Sequence, residues 1–163
     1  MALSLQSANL VRQKVKLYQN FTAAEFGALK AFFLYWSTNK RNADLQYIPF
    51  SNITSADPGI CQATGYSPIG GVTSTVHVFY VKNDGTGDGT DSFVSLHNNT
   101  TNTNVDLAYV TGMISDDNES FLYINPKGLA FGTDLTISAA TTNGGQTESA
   151  AANAGNGFVI VSA

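Results

Sequence analysis

The chain of 163 residues is poor in charge, since 12% of its residues are charged and 43% are apolar, with a formal net charge of −4. Thr, Asn, Ser and Gly together supply 61 residues. This composition suits strands and tight turns and excludes an all-helical bundle, a coiled coil or a charged disordered chain. The length predicts one domain, or one domain with an appended segment. The sequence has no run of 18 apolar residues that would indicate a membrane span.

Charge is distributed unevenly along the chain. Residues 1–41 carry a net charge of +5, whereas residues 42–163 carry −9. A basic leading segment on an acidic body favours attachment to an acidic partner surface. The alternative is that these bases only keep a helix and an edge strand soluble. Nucleic-acid binding is not predicted, because no arginine-rich cluster or alternation of aromatic and basic residues occurs.

The first 40 residues contain one clear helical signal. Residues 2–20 have no regular period, and the alternation at Lys14–Leu17 predicts an extended arm or an edge strand there. A helix is predicted over residues 22–38, where Thr22 and Glu25 have the spacing of a capping box. Its apolar stripe is formed by Phe26, Leu29, Phe33 and Trp36.

Residues 43–75 are interrupted by Pro and Gly, and they predict a short strand at Tyr47–Phe50 followed by a packed loop. We therefore divide the chain into two segments. Residues 1–70 would form an N-terminal arm, a helix and a packed loop, and residues 71–163 a β domain.

Short apolar segments alternate with turn clusters from residue 76 onward. The pattern predicts a mainly β fold, an antiparallel β-sandwich or jelly roll that carries the N-terminal arm and one amphipathic helix. Val76, Val78 and Tyr80 are expected on one face of their strand. Phe158–Val161 is apolar enough to require pairing on both sides. The predicted strands after residue 75 are Val76–Lys82, Ser92–Asn98, Val105–Ile114, Ser120–Ile124, Leu129–Phe131, Leu135–Ala139 and Phe158–Val161, with a turn at Asn125–Gly128.

Four segments of the β region carry a family resemblance. They are YVKN at 80–83, SFVSLHNN at 92–99, INPKGLAFGTDLTISAATT at 124–142 and FVIV at 158–161. In this series the chain resembles small β-sandwich structural proteins of tailed bacteriophage virions, over residues 76–161. The chain departs from the family pattern at Asp134, in the longer loop 84–91 and in its helical N-terminal part.

The resemblance implies a non-enzymatic virion protein without a cofactor, most simply a capsid decoration or cement protein. Such a protein binds across subunits of the major capsid protein, stabilises the head and is commonly a homotrimer. It would be made in the host cytoplasm and act in the virion, without contacting nucleic acid or membrane. Two alternatives remain open: a tail or neck structural subunit, and an exterior host-recognition or carbohydrate-binding module that uses loops 83–91 and 98–104.

Few residues suggest reactive chemistry. His77 and His97 have no carboxylate at metal-ligand spacing and are expected to be ordinary hydrogen-bonded side chains. Asp84, Asp88 and Asp91 lie in a glycine-rich loop that could enclose Ca²⁺, but the EF-hand pattern is not met, so a flexible hairpin loop is the alternative. Cys61 is the single cysteine and excludes an intrachain disulfide, and the first residues lack the pattern of a signal peptide.

The N-terminal segment is the best candidate for an interface, because its predicted helix is more apolar than the surface of a monomer usually is. The alternative is that the same aromatic residues form an ordinary core. The predicted inter-subunit residues are Arg12, Lys14, Lys16, Phe26, Leu29, Phe33 and Trp36.

Overall fold

A computed structural model describes residues 2–17, 21–39, 45–50, 74–82, 92–98, 109–114, 119–132, 135–140 and 156–162. Within these ranges the chain forms two helices and seven strands. In chain order they are α1 (Ala2–Leu17), α2 (Ala23–Asn39), β1 (Leu45–Phe50), β2 (Ser74–Lys82), β3 (Ser92–His97), β4 (Val110–Ile114), β5 (Ser120–Phe131), β6 (Thr136–Ala140) and β7 (Asn156–Ser162).

The strands form two antiparallel sheets, which confirms the predicted mainly β class. Sheet I has the order β1-β7-β2-β5, and sheet II has the order β4-β3-β6. The first strand pairs with the last, β2 pairs with β5, and β3 pairs with β4, so these antiparallel pairs are nested within one another along the chain. As expected, the apolar strand at the end of the chain is paired on both sides, because β7 lies between β1 and β2.

Two apolar clusters divide the molecule into three layers. The inner cluster joins the two sheets and includes Val76, Phe79 and Val81 of sheet I with Val94 and Leu96 of sheet II. The outer cluster joins sheet I to the helices. It consists of Val11, Val15, Leu29, Phe32, Phe33, Trp36, Leu45, Val78, Tyr80, Phe158 and Ile160. Sheet I therefore lies between the helices and sheet II, and its central strands are buried on both faces.

The expected N-terminal arm is wrong, because Ala2–Leu17 is helical, and the described residues form two helices where the sequence predicts one. The α1 sequence contains no Gly or Pro, and Lys14 and Lys16 are favourably placed at the negative end of the helix. Val11 and Val15, one turn apart, are buried in the outer cluster, among the α1 side chains that the structure describes. Tertiary packing of this narrow stripe supports a helix whose sequence has only a weak period.

Helix α2 begins as its sequence predicts. The Thr22 backbone N–H donates to Glu25 Oε1 at 2.9 Å, and the Glu25 backbone N–H donates to Thr22 Oγ1 at 3.2 Å. This reciprocal pair is the capping box, and it satisfies two backbone donors that the first turn leaves without helical partners. The Glu25 carboxylate also accepts from Ser120 Oγ, at 3.1 Å and 2.8 Å, which connects the helix start to the first residue of β5.

One long strand replaces the two strands predicted at 120–124 and 129–131. Strand β5 continues through the expected turn, and its residues Asn125–Gly128 lie opposite the single residue His77 of β2. A local turn still forms within the strand, because Asn125 Oδ1 accepts hydrogen bonds from the backbone N–H groups of Lys127 and Gly128 at 3.1 and 3.2 Å. Gly128 has a φ of 85°, which favours glycine.

The irregular pairing at His77 also changes which side chains share a face. Val76 belongs to the inner cluster, whereas Val78 and Tyr80 belong to the outer cluster. The prediction that all three share one face is therefore wrong. An extra residue in one strand of a pair shifts the alternation of side chains by one position, and His77 is that residue against β7.

Candidate docking groove

The apolar half of the predicted interface packs within the chain itself. Leu29 and Trp36 are 1% and 2% exposed and contact sheet I through the outer cluster, together with Phe33. The Trp36 ring lies edge-on to the His77 ring, with 4.7 Å between their centroids. His77 Nε2 is in turn 2.8 Å from Ser162 Oγ, which makes the imidazole part of the packed layer between helix and sheet.

A groove between α1 and α2 contains five of the seven predicted residues. It is a shallow depression open to solvent, and its empty space of about 250 Å³ includes the solvent above it. The two predicted residues that lie elsewhere are Lys14 and Trp36. The lining consists of Arg12, Val15 and Lys16 from α1 with Phe26, Leu29, Lys30 and Phe33 from α2. We call this feature the helical groove.

Helical periodicity explains how the groove acquires a charged rim and an apolar floor. Arg12 and Lys16 are one turn apart and therefore share a face of α1. Val15, between them in sequence, is 2% exposed and points toward the core. On α2, Leu29 and Phe33 have the same spacing and are buried, whereas Lys30 is exposed.

The described lining of the groove carries positive charge only. None of its seven lining residues is acidic, and three of them, Arg12, Lys16 and Lys30, are cations. The Lys30 ammonium lies 4.5 Å from the centroid of the Phe26 ring, within the range of a cation–π interaction. Glu25 is the single acid among residues 1–41, and its carboxylate binds Thr22 and Ser120.

Lys14 lies over a different surface, where its Nζ is 5.9 Å from the centroid of the Tyr47 ring in β1. The Tyr47 ring also packs against Phe158, with 4.9 Å between centroids. Burial raises the pKa of the Tyr47 phenol above its usual value of 10.0, because the charged phenolate loses solvation there. This contact holds α1 against the edge of sheet I and does not extend the groove.

Two lining residues, Val15 and Lys30, were not predicted. Lys30 is four residues after Phe26, and Val15 is four residues after Val11, so helical spacing on both segments would have identified them. For Val15 that signal depends on treating residues 2–17 as a helix. The groove itself exists only because two helices pack side by side.

The volume of the helical groove limits what it can bind. Small-molecule sites usually enclose about 300–1,000 Å³ and bury most of their ligand. The groove is much smaller than this and open to solvent. Its dimensions suit one side chain of a larger partner, held above an apolar floor, rather than a whole cofactor or substrate.

A second surface feature lies at the end of sheet II. Tyr109 is 47% exposed, and its hydroxyl oxygen accepts a hydrogen bond of 3.0 Å from Asn98 Nδ2. Its ring is held 5.1 Å from the ring of Phe131. An exposed aromatic ring beside an amide thus lies next to the loop predicted for the carbohydrate-binding alternative.

The other predicted features are placed as follows. His77 belongs to sheet I and His97 to sheet II. The aspartate loop 84–91, the span 99–104 and Cys61 lie outside the described residues, as do residues 105–108 of a predicted strand. In the described ranges, no three His, Cys, Asp or Glu side chains are grouped so as to hold a metal ion. Neither described helix is long and apolar enough to cross a membrane.

The comparisons with known proteins give one structural likeness. No protein-family model and no curated protein matches this chain. A solved structure of the top component of cowpea mosaic virus, a naturally occurring empty particle, is similar at a TM-score of 0.28 and 16% identity. The match covers 74% of this chain and 76% of that chain. This TM-score is below that of chains sharing a fold, so no assignment follows from it.

Proposed function

We propose that this chain is a non-catalytic structural protein of a virion, and that it acts as a capsid decoration or cement protein. In this proposal the β layers form a stable body, and the helical layer attaches that body to neighbouring subunits of the major capsid protein. The proposed location is the virion of a tailed bacteriophage, as the sequence resemblance implies. A homotrimer is the favoured assembly, since closed cyclic symmetry suits a particle axis.

The nested strand pairing is the observation that carries this proposal. Strand β1 pairs with β7, β2 with β5, and β3 with β4, and the pairs are distributed over two sheets. Nested antiparallel pairs rolled into two sheets are the pattern of a jelly roll, and we propose that fold here. Jelly rolls are common in viral capsid proteins and lectins, so the pairing supports both the virion proposal and the carbohydrate-binding alternative.

Attachment through the helical layer would stabilise a particle by mass action. A protein that binds only the intact shell adds about 2.7 kcal/mol per site when its concentration is 100 times its dissociation constant. Covering the groove with a partner surface would also remove exposed apolar area from water. No chemical step is needed for this role.

Heating of phage particles tests the cement function. Particles that lack this chain are purified, the chain is added back at increasing concentration, and genome release is followed with a nucleic-acid dye. We expect the release temperature to rise with concentration and then level off at a fixed ratio of chain to coat protein. An unchanged release temperature, with the chain bound, would contradict the cement function and favour the tail or neck alternative.

The carbohydrate-binding alternative is favoured by the Tyr109 surface. Exposed aromatic rings beside amides stack on sugar faces and hydrogen-bond their hydroxyls. Binding to a glycan array that is lost in Tyr109→Ala and retained in Lys127→Ala would support it. Lys127 is the control because it is exposed on β5, in the other sheet.

A further inference from the structure

We propose that the helical groove binds an acidic segment of a partner protein, in which one apolar side chain lies between carboxylates. The apolar side chain would pack against the floor of the groove and the carboxylates would contact its rim. This inference rests on the proposed function, which makes the coat protein the natural source of the segment. It adds the chemistry of the partner and the surface that recognises it.

The rim determines the charge of the partner. Arg12 and Lys16 on α1 line the groove together with Lys30 on α2, and none of its described lining residues is acidic. Like charges repel one another, so an anionic partner that contacts all three cations gains Coulomb energy from each. Arg also presents a planar donor fork that matches a carboxylate, which favours carboxylates over a diffuse negative surface.

The floor determines the anchor of the partner. The accessible apolar surface comes mainly from Phe26, which is partly exposed above the buried side chains of Val15, Leu29 and Phe33. The groove is shallow and open to solvent, so it offers a contact surface to part of one side chain and not to a folded domain. Interfaces of this kind gain most of their energy from one buried anchor with charged contacts around it.

A partner of different sequence suits the groove better than a second copy of this chain. Each copy carries a net charge of −4, so long-range repulsion opposes their approach. If the groove of one copy bound a different surface of the next copy, the contact would be heterologous. One groove would then stay empty unless the copies closed into a ring. The same net charge opposes an acidic segment at long range, but such a segment needs no ring closure to fill every groove.

Peptide binding to the full chain tests the inference. The probe is a fluorescent peptide of sequence Asp-Glu-Phe-Asp-Glu, with Asp-Glu-Ser-Asp-Glu and Lys-Lys-Phe-Lys-Lys as comparisons. We expect the first peptide to bind more tightly than the serine peptide and the basic peptide not to bind. The affinity should fall as salt is raised, since exposed charge contacts are screened beyond about 8 Å at 0.15 M ionic strength.

Charge-reversal variants locate the site. Lys30→Glu and Arg12→Glu should each weaken binding by about five- to tenfold, whereas Lys127→Glu, a matched reversal on β5, should leave it unchanged. Fluorescence of the single tryptophan, Trp36, reports whether each variant keeps its helical layer packed. Two results would overturn the inference. One is equal binding of the acidic and basic peptides, and the other is a loss of affinity in Lys127→Glu as large as that in Lys30→Glu. Concentration-dependent self-association that Lys30→Glu abolishes would overturn the choice of partner.

The two proposals fail in different ways. If the peptide binds as expected while the chain is absent from virions, the groove inference holds and the proposed function is wrong. If the Lys30→Glu variant associates with particles as well as the wild type does, the proposed function holds and the groove is not the contact with the particle.

Discussion

At the scale of single residues, the fold depends on a close approach between β2 and the bulge in β5. His77 is 2% exposed, with its Nδ1 3.3 Å from the carbonyl oxygen of Asn125. Gly128 completes this contact. A Cβ added there would clash with Thr75 Cγ2 and would lie 2.8 Å from His77 Cε1. The imidazole therefore fits against β5 only while residue 128 has no side chain.

Replacement of Gly128 by Ala should lower the free energy of unfolding by about 2–4 kcal/mol. The change combines a strained φ of 85° with overpacking against β2. Chemical denaturation measures the effect. The control is Gly27→Ala in α2, where a Cβ meets nothing within 4 Å and where Ala should stabilise the helix by about 0.5–1 kcal/mol. Equal effects at the two positions would contradict this explanation.

Tyr47 makes stability depend on pH in the alkaline range. Burial raises the pKa of its phenol above 10.0, so the unfolded chain loses that proton at a lower pH than the native protein does. The contribution of Tyr47 to the free energy of unfolding should therefore fall as pH rises above 10.0 and stay constant at lower pH. The measurement compares unfolding of wild type and Tyr47→Phe across this range. If the two curves fall with the same slope, the phenol does not contribute.

At the scale of elements, the N-terminus of α2 is held to both its own backbone and sheet I. Glu25 is the shared group, because one carboxylate accepts hydrogen bonds from the Thr22 backbone and from the Ser120 hydroxyl. A carboxylate in the first turn is also stabilised by the helix dipole. The same residue therefore starts the helix and fixes where it lies on the sheet.

Glu25→Ala should destabilise the protein by about 1–2 kcal/mol, because it removes half of the capping box and the bond to β5. A double-mutant cycle with Ser120→Ala should give a coupling energy of about 0.5–1.5 kcal/mol. Thr22→Ser serves as the control, since it keeps the capping hydroxyl. Additive effects of Glu25→Ala and Ser120→Ala would show that the helix is not fastened to the sheet through this contact.

At the scale of the whole molecule, sheet I depends on the layers that cover both of its faces. Val78, Tyr80, Phe158 and Ile160 are fully buried on the side that the helices cover. Strand β1, which falls in the predicted segment 1–70, pairs with β7 of segment 71–163. The helical layer is therefore packed on the sheet as part of one structure.

Deletion of residues 1–40 should expose this apolar face and cause association. Large exposed apolar patches are uncommon on soluble monomers and promote aggregation. Size-exclusion chromatography with circular dichroism provides the measurement, and a deletion of the last residue, Ala163, is the control. A truncated chain that remains a monomer with unchanged strand content would show that the β layers fold independently.

Local signals in the sequence were sufficient for α2 and for most strands. The capping box at Thr22 and Glu25 and the short apolar segments act over a few residues, so they can be recognised without tertiary structure. Helix α1 was missed because its sequence has only a weak period, and Val11 and Val15 are the buried apolar residues among its described side chains. The continuous strand β5 was missed because its bulge has the composition of a turn. Both depend on packing with distant residues.

The candidate site was predictable only as a set of residue types. The sequence places bases in residues 12–16 and aromatic residues in 26–36, which was sufficient to propose an interface. The predicted extended arm would not pack beside α2 as a helix does. The position of Arg12 and Lys16 beside Lys30 could therefore be recognised only once α1 was located. The burial of Trp36 likewise follows from its contact with His77 across the layers.

The central claim is that this chain is a structural component of virus particles. Quantitative mass spectrometry of density-gradient fractions from an infected culture tests it most directly. We predict that the chain co-sediments with the major capsid protein, or with tail proteins, at a constant ratio across the particle peak. Its recovery only in the unsedimented fraction, at a ratio that varies independently of particles, would contradict the claim.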